Sequence, residues 1–241
     1  MKVNVLENYE KMSKAVAEYI IDYVNNKPES LLCLAGGDTP LLTYQYLVEA
    51  AEEGQVDFSK CKFVSLDEWV GLGEDVKGSC IETLYRTIYG KLPIEKDQVC
   101  FFNGLAEDLD EECKRVDKFI FESNGVDIML LGIGMNGHLG FNEPNVDTDL
   151  YCTVIPLDPV TKTVGAKYFD QEVNVTSGIT LGMKHIMESK SIILMANALK
   201  KADIVKATVE GEISVKVPSS LVREINNSQI FLDKEAASKL R

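Results

Sequence analysis

One loop gathers the side chains most suited to chemistry. The stretch Leu130-Leu-Gly-Ile-Gly-Met-Asn-Gly-His-Leu-Gly-Phe-Asn-Glu-Pro144 holds one of only two histidines, a carboxylate five residues later, and four glycines. His138 is the acid/base whose ordinary titration lies nearest neutral pH. Glu143 is close enough to orient the ring and favour its charged form. The plainer alternative is a histidine bonded to backbone in a structural loop. The flanking glycines and the Asn142-Glu143-Pro144 turn weigh towards a site, because glycine lets backbone approach a ligand closely. A second stretch, Leu34-Ala-Gly-Gly-Asp-Thr-Pro40, joins a strand to a helix. Gly36 and Gly37 form the turn, Thr39 is the expected N-cap and Pro40 the first helical residue. A helix N-terminus behind such a turn suits a phosphate; a tight turn with no ligand is the plainer alternative. A third, Val64-Ser-Leu-Asp-Glu-Trp69, ends an apolar run with two carboxylates. Asp67, partly desolvated, can serve as a general base; a solvated strand end is the ordinary fate of an isolated Asp-Glu pair.

The elements that must hold these residues alternate. Helical spacing runs over Asn8 to Asn25, Leu41 to Ala51, Glu107 to Asn124 and Leu199 to Glu210. Buried-strand patterns cover Leu31 to Leu34, Lys62 to Leu66, Val126 to Leu131, Ser191 to Met195 and Gln229 to Leu232. Such alternation predicts a mostly parallel sheet with helices on both faces, and sites at the carboxyl ends of its strands. The 241 residues fit one large domain, with no linker or repeat. Residues 145–178 have weak periodicity and read as an excursion from the sheet, a lid candidate. His185, in a helix-like run, reads as structural.

A net charge of −13 argues against nucleic acid, which wants a basic face. Any anionic substrate must be drawn in by a local positive site, against the global field. No apolar run approaches a membrane span, and no signal peptide is visible. The six cysteines form no CxxC pair and no Cys/His cluster with zinc-ligand spacing. A reducing cytoplasm is the expected compartment.

Taken in order, the AGGDTP loop, the LDEW strand end and the GMNGHLGFNEP loop resemble the glucosamine-6-phosphate deaminase/isomerase family, which includes galactosamine-6-phosphate isomerases. The likeness continues through Ile179-Thr-Leu-Gly182, Lys201 with Val209-Glu-Gly211, and Val217-Pro-Ser-Ser220. Thr39-Pro-Leu-Leu-Thr-Tyr-Gln-Tyr-Leu47 and Asp67-Glu-Trp69 look most like the galactosamine-6-phosphate branch. The implied fold is an open three-layer α/β/α architecture with a mostly parallel Rossmann-like sheet, shared with the 6-phosphogluconolactonases.

The resemblance implies that a 2-amino-2-deoxyhexose 6-phosphate becomes a keto-hexose 6-phosphate plus ammonia, without metal or organic cofactor. His138, with Glu143 and Asn136, matches the ring-opening acid/base, and Asp67 the base acting between C2 and C1. Gly36, Gly37, Thr39, Lys167 and Lys201 match the phosphate site. Asp38 departs from the pattern: a carboxylate beside a phosphate is unfavourable if it points inward. Lys167 stands where many relatives have arginine, keeping the charge and losing the bidentate fork. In allosteric hexameric members basic residues follow the NEP motif. Val146, Thr153 and Ile155 fall there instead, which implies no such activation and a monomer or small homo-oligomer. A lactonase of the same fold and a non-catalytic sugar-phosphate sensor are the competing readings.

Overall fold

The computed structural model describes residues 1–169 and 173–241. Its strands are, in chain order, β1 (Lys2–Leu6), β2 (Leu31–Leu34), β3 (Lys62–Ser65), β4 (Asp67–Trp69), β5 (Val99–Cys100), β6 (Ile128–Gly132), β7 (Cys152–Pro156), β8 (Ser177–Leu181), β9 (Ser191–Ala196) and β10 (Ser228–Asp233). Its helices are α1 (Tyr9–Asn26), α2 (Leu41–Glu52), α3 (Cys80–Leu84), α4 (Leu109–Glu122), α5 (Pro159–Gly165), α6 (Met183–Glu188), α7 (Ala202–Glu210) and α8 (Pro218–Leu221).

The apolar runs are buried on both faces because successive side chains of a strand point to opposite sides. Leu31 and Cys33, Met129 and Leu131, and Ile192 and Leu194 enter one core, which α4, α6 and α7 cover. Leu32 and Leu34, Ile128 and Leu130, and Ile193 and Met195 enter the other, against α1 and α2. Each such fully buried aliphatic side chain contributes about 1.5–3 kcal/mol. The helix ends follow local rules. The Asn8 side chain accepts the Lys11 N–H at 2.9 Å, and Asp108 accepts those of Asp110 and Glu111.

Seven strands form one parallel sheet in the order β1-β10-β9-β6-β2-β3-β5. From β2 the chain steps outward through β3 to β5, then returns to the other side of β2 and steps out through β6, β9 and β10. The reversal falls between β2 and β6. Loops leaving neighbouring strands in opposite directions there open a crevice. Those two loops are the glycine turn after Leu34 and the histidine loop after Gly132.

The segment of weak periodicity holds regular structure that its pattern did not announce. β7 and β8 pair with β4 in a three-stranded antiparallel sheet, Asp67 opposite Thr180. A small apolar cluster of Trp69, Leu72, Cys80, Phe141, Leu157 and Val175 lies beside it. α5 crosses Trp69 so closely that a Cβ on Gly165 would stand 2.5 Å from the indole. Residues 170–172 of the expected lid lie outside the described residues. Short strands in this segment read poorly because each pairs with sequence far away, and β1 and β5, edge strands of the main sheet, were equally silent.

One correction concerns the turn after β2. Pro40, not Thr39, is the cap position of α2, and no side chain there accepts a helix N–H. Tyr9 of α1 takes that role: its hydroxyl donates to the Thr39 carbonyl at 3.0 Å and accepts the Leu42 N–H at 3.3 Å. The turn is also held from below. The fully buried Tyr44 hydroxyl donates to the Ala35 carbonyl at 2.6 Å. Tyr44→Phe strands that carbonyl and is expected to lower stability by about 1–2 kcal/mol, measured by urea unfolding with an unchanged m-value.

Candidate active site

Asp67 stands where the chain leaves the main sheet. β3 ends at Ser65, and β4 turns away to pair with β8, so the carboxylate emerges at the carboxyl edge of the parallel strands. It is nearly sealed from solvent, at 9% exposure. Burial pushes its carboxyl up to about 6, against the opposing pull of the Cys80 thiol and the charge of His138. The Cys80 thiol donates to Oδ1 at 3.3 Å.

The two carboxylates of the LDEW end part company. Glu68 turns inward, at 1% exposure. Its Oε1 accepts the N–H groups of Trp69 at 2.8 Å and Cys80 at 3.0 Å, and Oε2 that of Ile81 at 2.8 Å. Burial carries its carboxyl up to about 7 in spite of these bonds. Glu68 therefore organises the turn that delivers Cys80 and does not face the cleft.

His138 lies on the opposite loop. Its Nδ1 is 3.2 Å from Glu143 Oε2 and 3.1 Å from the Thr161 hydroxyl. A carboxylate only accepts, so Nδ1 carries the proton in that bond and, among the described residues, Nε2 has no hydrogen-bond partner. Asn136 sits behind the ring: its Nδ2 donates to Glu143 Oε2 at 2.9 Å and its Oδ1 accepts the His138 N–H at 3.2 Å. Glu143 Oε1 accepts the Asp158 N–H at 3.3 Å. Burial alone would raise the Glu143 carboxyl, but His138, Thr161 and Asn136 hold it below the ordinary range. The ring lies flat over Gly134, where a Cβ would stand 2.4 Å from Nε2, so the position admits only glycine without moving the imidazole. Gly140 reverses the chain at φ +59°, and a Cβ there would meet Thr180 Oγ1 at 2.7 Å.

Asp67, His138, Gly36, Gly37, Thr39, Lys167 and Lys201 all line one cleft of about 700 Å3. Asn136 and Glu143 do not form its wall; they stand behind the imidazole. Lys201 is half-buried and donates to the Ile133 carbonyl. Burial, with Lys200 and Lys167 nearby, lowers its ammonium to about 8. Asp38 lines the same cleft, and its carboxylate pairs with Lys167 at 2.5 Å, both side chains well exposed. Its carboxylate therefore joins the turn to the segment carrying α5. At that exposure the pair adds at most about 1 kcal/mol.

Thr161 and Cys80 are site residues that sequence reasoning missed. Thr161 lies in the segment without periodicity, and Cys80 was one unremarkable cysteine of six. His185 is buried, with Nε2 2.7 Å from Asp117 Oδ1. Asp117 also accepts the Cys152 N–H at 3.0 Å, tying β7 to α4. The three side chains lie within 4.8 Å of one another, a nitrogen, sulfur and oxygen grouping hidden by sequence separation. They lie outside the cleft lining.

A desolvated carboxylate and an imidazole with one free nitrogen, lining one cleft at the switch point of a parallel sheet, make an acid–base site. Residues 7–231 match the glucosamine-6-phosphate isomerases/6-phosphogluconolactonase family, and the chain belongs to it. It is 38% identical to a glucosamine-6-phosphate deaminase of a Thermoanaerobacter species, over 99% of this chain and 94% of that one. It is 36% identical to one from Clostridium botulinum, over 100% and 99%. A solved structure of a monomeric glucosamine-6-phosphate deaminase superposes with a TM-score of 0.96 at 32% identity, covering 99% of this chain and all of that one. The 6-phosphogluconolactonase of Leishmania guyanensis superposes at 0.77 with 20% identity over 100% of this chain and 98% of that one, a likeness of fold alone.

Holding Asp67 dry has a cost that pH exposes. Its carboxyl binds a proton more tightly folded, at about 6, than unfolded, near 3.9. The contribution of Asp67 to native stability therefore falls as pH rises from about 4 to 6, by up to about 3 kcal/mol. Asp67→Asn has no such charge. Its unfolding free energy is expected to exceed wild type at pH 7 and to converge on it below about pH 4, as measured by urea denaturation across that range.

Proposed function

We propose that this protein is a deaminating aldose–ketose isomerase acting on a 2-amino-2-deoxyhexose 6-phosphate, glucosamine 6-phosphate first. The observation that carries this reading is the pairing of Asp67 and His138 across one cleft with the glycine turn, Lys167 and Lys201. The full-length relatives named for that activity support it.

His138 opens the sugar ring. Nε2 moves a proton between the ring oxygen and the anomeric hydroxyl, while Glu143 stabilises the imidazolium and Asn136 fixes both groups. Asp67 then takes the proton from C2 and returns it to C1 through an enol-type intermediate. A carboxyl at about 6 suits both transfers, because it is ionised at neutral pH yet basic enough to accept. The ketose imine is hydrolysed, and ammonia leaves. The phosphate anchors on Gly36, Gly37 and Thr39, with Lys201 and Lys167 as counter-charges. The dianion competes with Asp38 for Lys167, and its arrival favours the charged form of Lys201. The segment 145–178 acts as a lid, since it brings Thr161 and Lys167 to the cleft.

A second reading concerns the C4 epimer. Thr39 to Leu47 and Asp67 to Trp69 resemble the galactosamine-6-phosphate branch, so galactosamine 6-phosphate is the other substrate to offer. Monomeric behaviour and a cytoplasmic location complete the proposal. The six cysteines are all unpaired, and among the described residues no helix is long and apolar enough to cross a membrane.

The test is ammonia release from both amino-sugar phosphates in parallel. Release with an acid limb near pH 6, cut by about 10²–10⁴-fold in Asp67→Asn, is the expected result. No ammonia from either compound in folded protein sinks the reading. Hydrolysis of a phosphosugar lactone would then indicate a lactonase, and binding without turnover a sensor. Light scattering on the eluting protein is expected to give a mass near 26.8 kDa, and a hexamer would contradict the monomer.

A further inference from the structure

We propose that Cys80 is a positioning residue for Asp67: its thiol holds Oδ1, so that Oδ2 is the oxygen presented to substrate. This rests on the reading of Asp67 as the base.

Geometry assigns the two oxygens different surroundings. Oδ1 takes the thiol at 3.3 Å. Oδ2 lies beside Gly140, a residue of the cleft lining, where an added Cβ would stand 3.4 Å from it. Cys80 and Asp67 both line the cleft. Cys80 is itself fixed. Glu68 accepts its N–H at 3.0 Å and that of Ile81 at 2.8 Å. Gly36 abuts it from the glycine turn, where a Cβ would come within 3.2 Å of the Cys80 Cβ. Loss of a side chain at Gly36 thus makes room for the thiol as well as for a phosphate.

Chemistry gives the thiol a direction. Burial first, then the charges of Asp67 and Glu68, push it well above its usual range, so it remains S–H at neutral pH. The other groups facing Asp67 are His138 from the histidine loop, Cys33 on β2, Tyr44 on α2 and Glu68 along the chain. Among the described residues, Cys80 alone donates a side-chain hydrogen bond to this carboxylate. A thiol is a weak donor. It orients the carboxylate while leaving it more basic than a hydroxyl partner would.

A bond to the ionised form lowers a carboxyl's titration midpoint, so removing it must raise that midpoint. The experiment is a carboxyl 13C NMR titration of the ligand-free protein, with Asp67→Asn assigning the signal. Cys80→Ala and Cys80→Val remove the donor, the second keeping side-chain volume; Cys80→Ser keeps a donor. The Ala and Val midpoints are expected to rise by about half a unit to one unit, and Ser to stay at or below wild type. The acid limb of kcat/KM for the amino-sugar phosphate should shift in the same order, which a purely structural role would not produce. Donor-free variants whose midpoints do not rise, or rise no more than that of Cys80→Ser, overturn the proposal. Absence of ammonia release from wild type would instead remove the enzymatic reading, and the titration would still decide whether the thiol holds the carboxylate.

Discussion

A carboxylate withdrawn from water at Asp67 is the constraint on which the cleft depends. An ion in that position is expensive unless its surroundings are built for it. The chain meets this need by leaving the parallel sheet one residue earlier and starting a second, antiparallel sheet. That change brings β8 against Asp67 and seals it behind Thr180 and the small cluster around Trp69. Glu68, next in sequence, points the other way and binds three backbone N–H groups. Neighbouring carboxylates thus do different work because alternate residues of a strand face opposite sides.

The second half of the site follows from topology. Strand order reverses between β2 and β6, so the glycine turn and the histidine loop diverge and leave a crevice between them. The loop then needs its ring held at one height and one tilt. Glu143, Asn136 and Thr161 fix Nδ1 and the backbone, and the bare Cα of Gly134 lets the imidazole lie against the chain. With Nδ1 occupied, proton exchange is directed to Nε2.

Electrostatics set the third condition. The chain carries a net −13, so attraction of an anionic substrate must be local. Lys201 and Lys167 supply it from different elements. Asp38, troubling when read as a neighbour of a bound phosphate, is turned towards Lys167 and holds that side chain at the mouth of the cleft. A charge that conflicts in sequence is a partner in space.

The sequence by itself determined the strands β2, β3, β6, β9 and β10 of the parallel sheet, the helices α1, α2, α4 and α7, and the loops that carry Asp67 and His138. Those features are local: apolar periodicity and glycine turns act over a few residues and are legible there. It also pointed to the family, through motifs kept in order along the chain. Tertiary structure alone decided the second sheet, the division of labour between Asp67 and Glu68, the direction of Asp38, and the arrival of Thr161 and Cys80. Each of these depends on contacts between residues distant in sequence. Thr161 reaches His138 from 23 residues away, and Lys167 reaches Asp38 from 129. Such pairings carry no periodic signature, because what fixes them is the packing of whole elements and the drive to satisfy buried polar groups, and neither exists until the chain has folded.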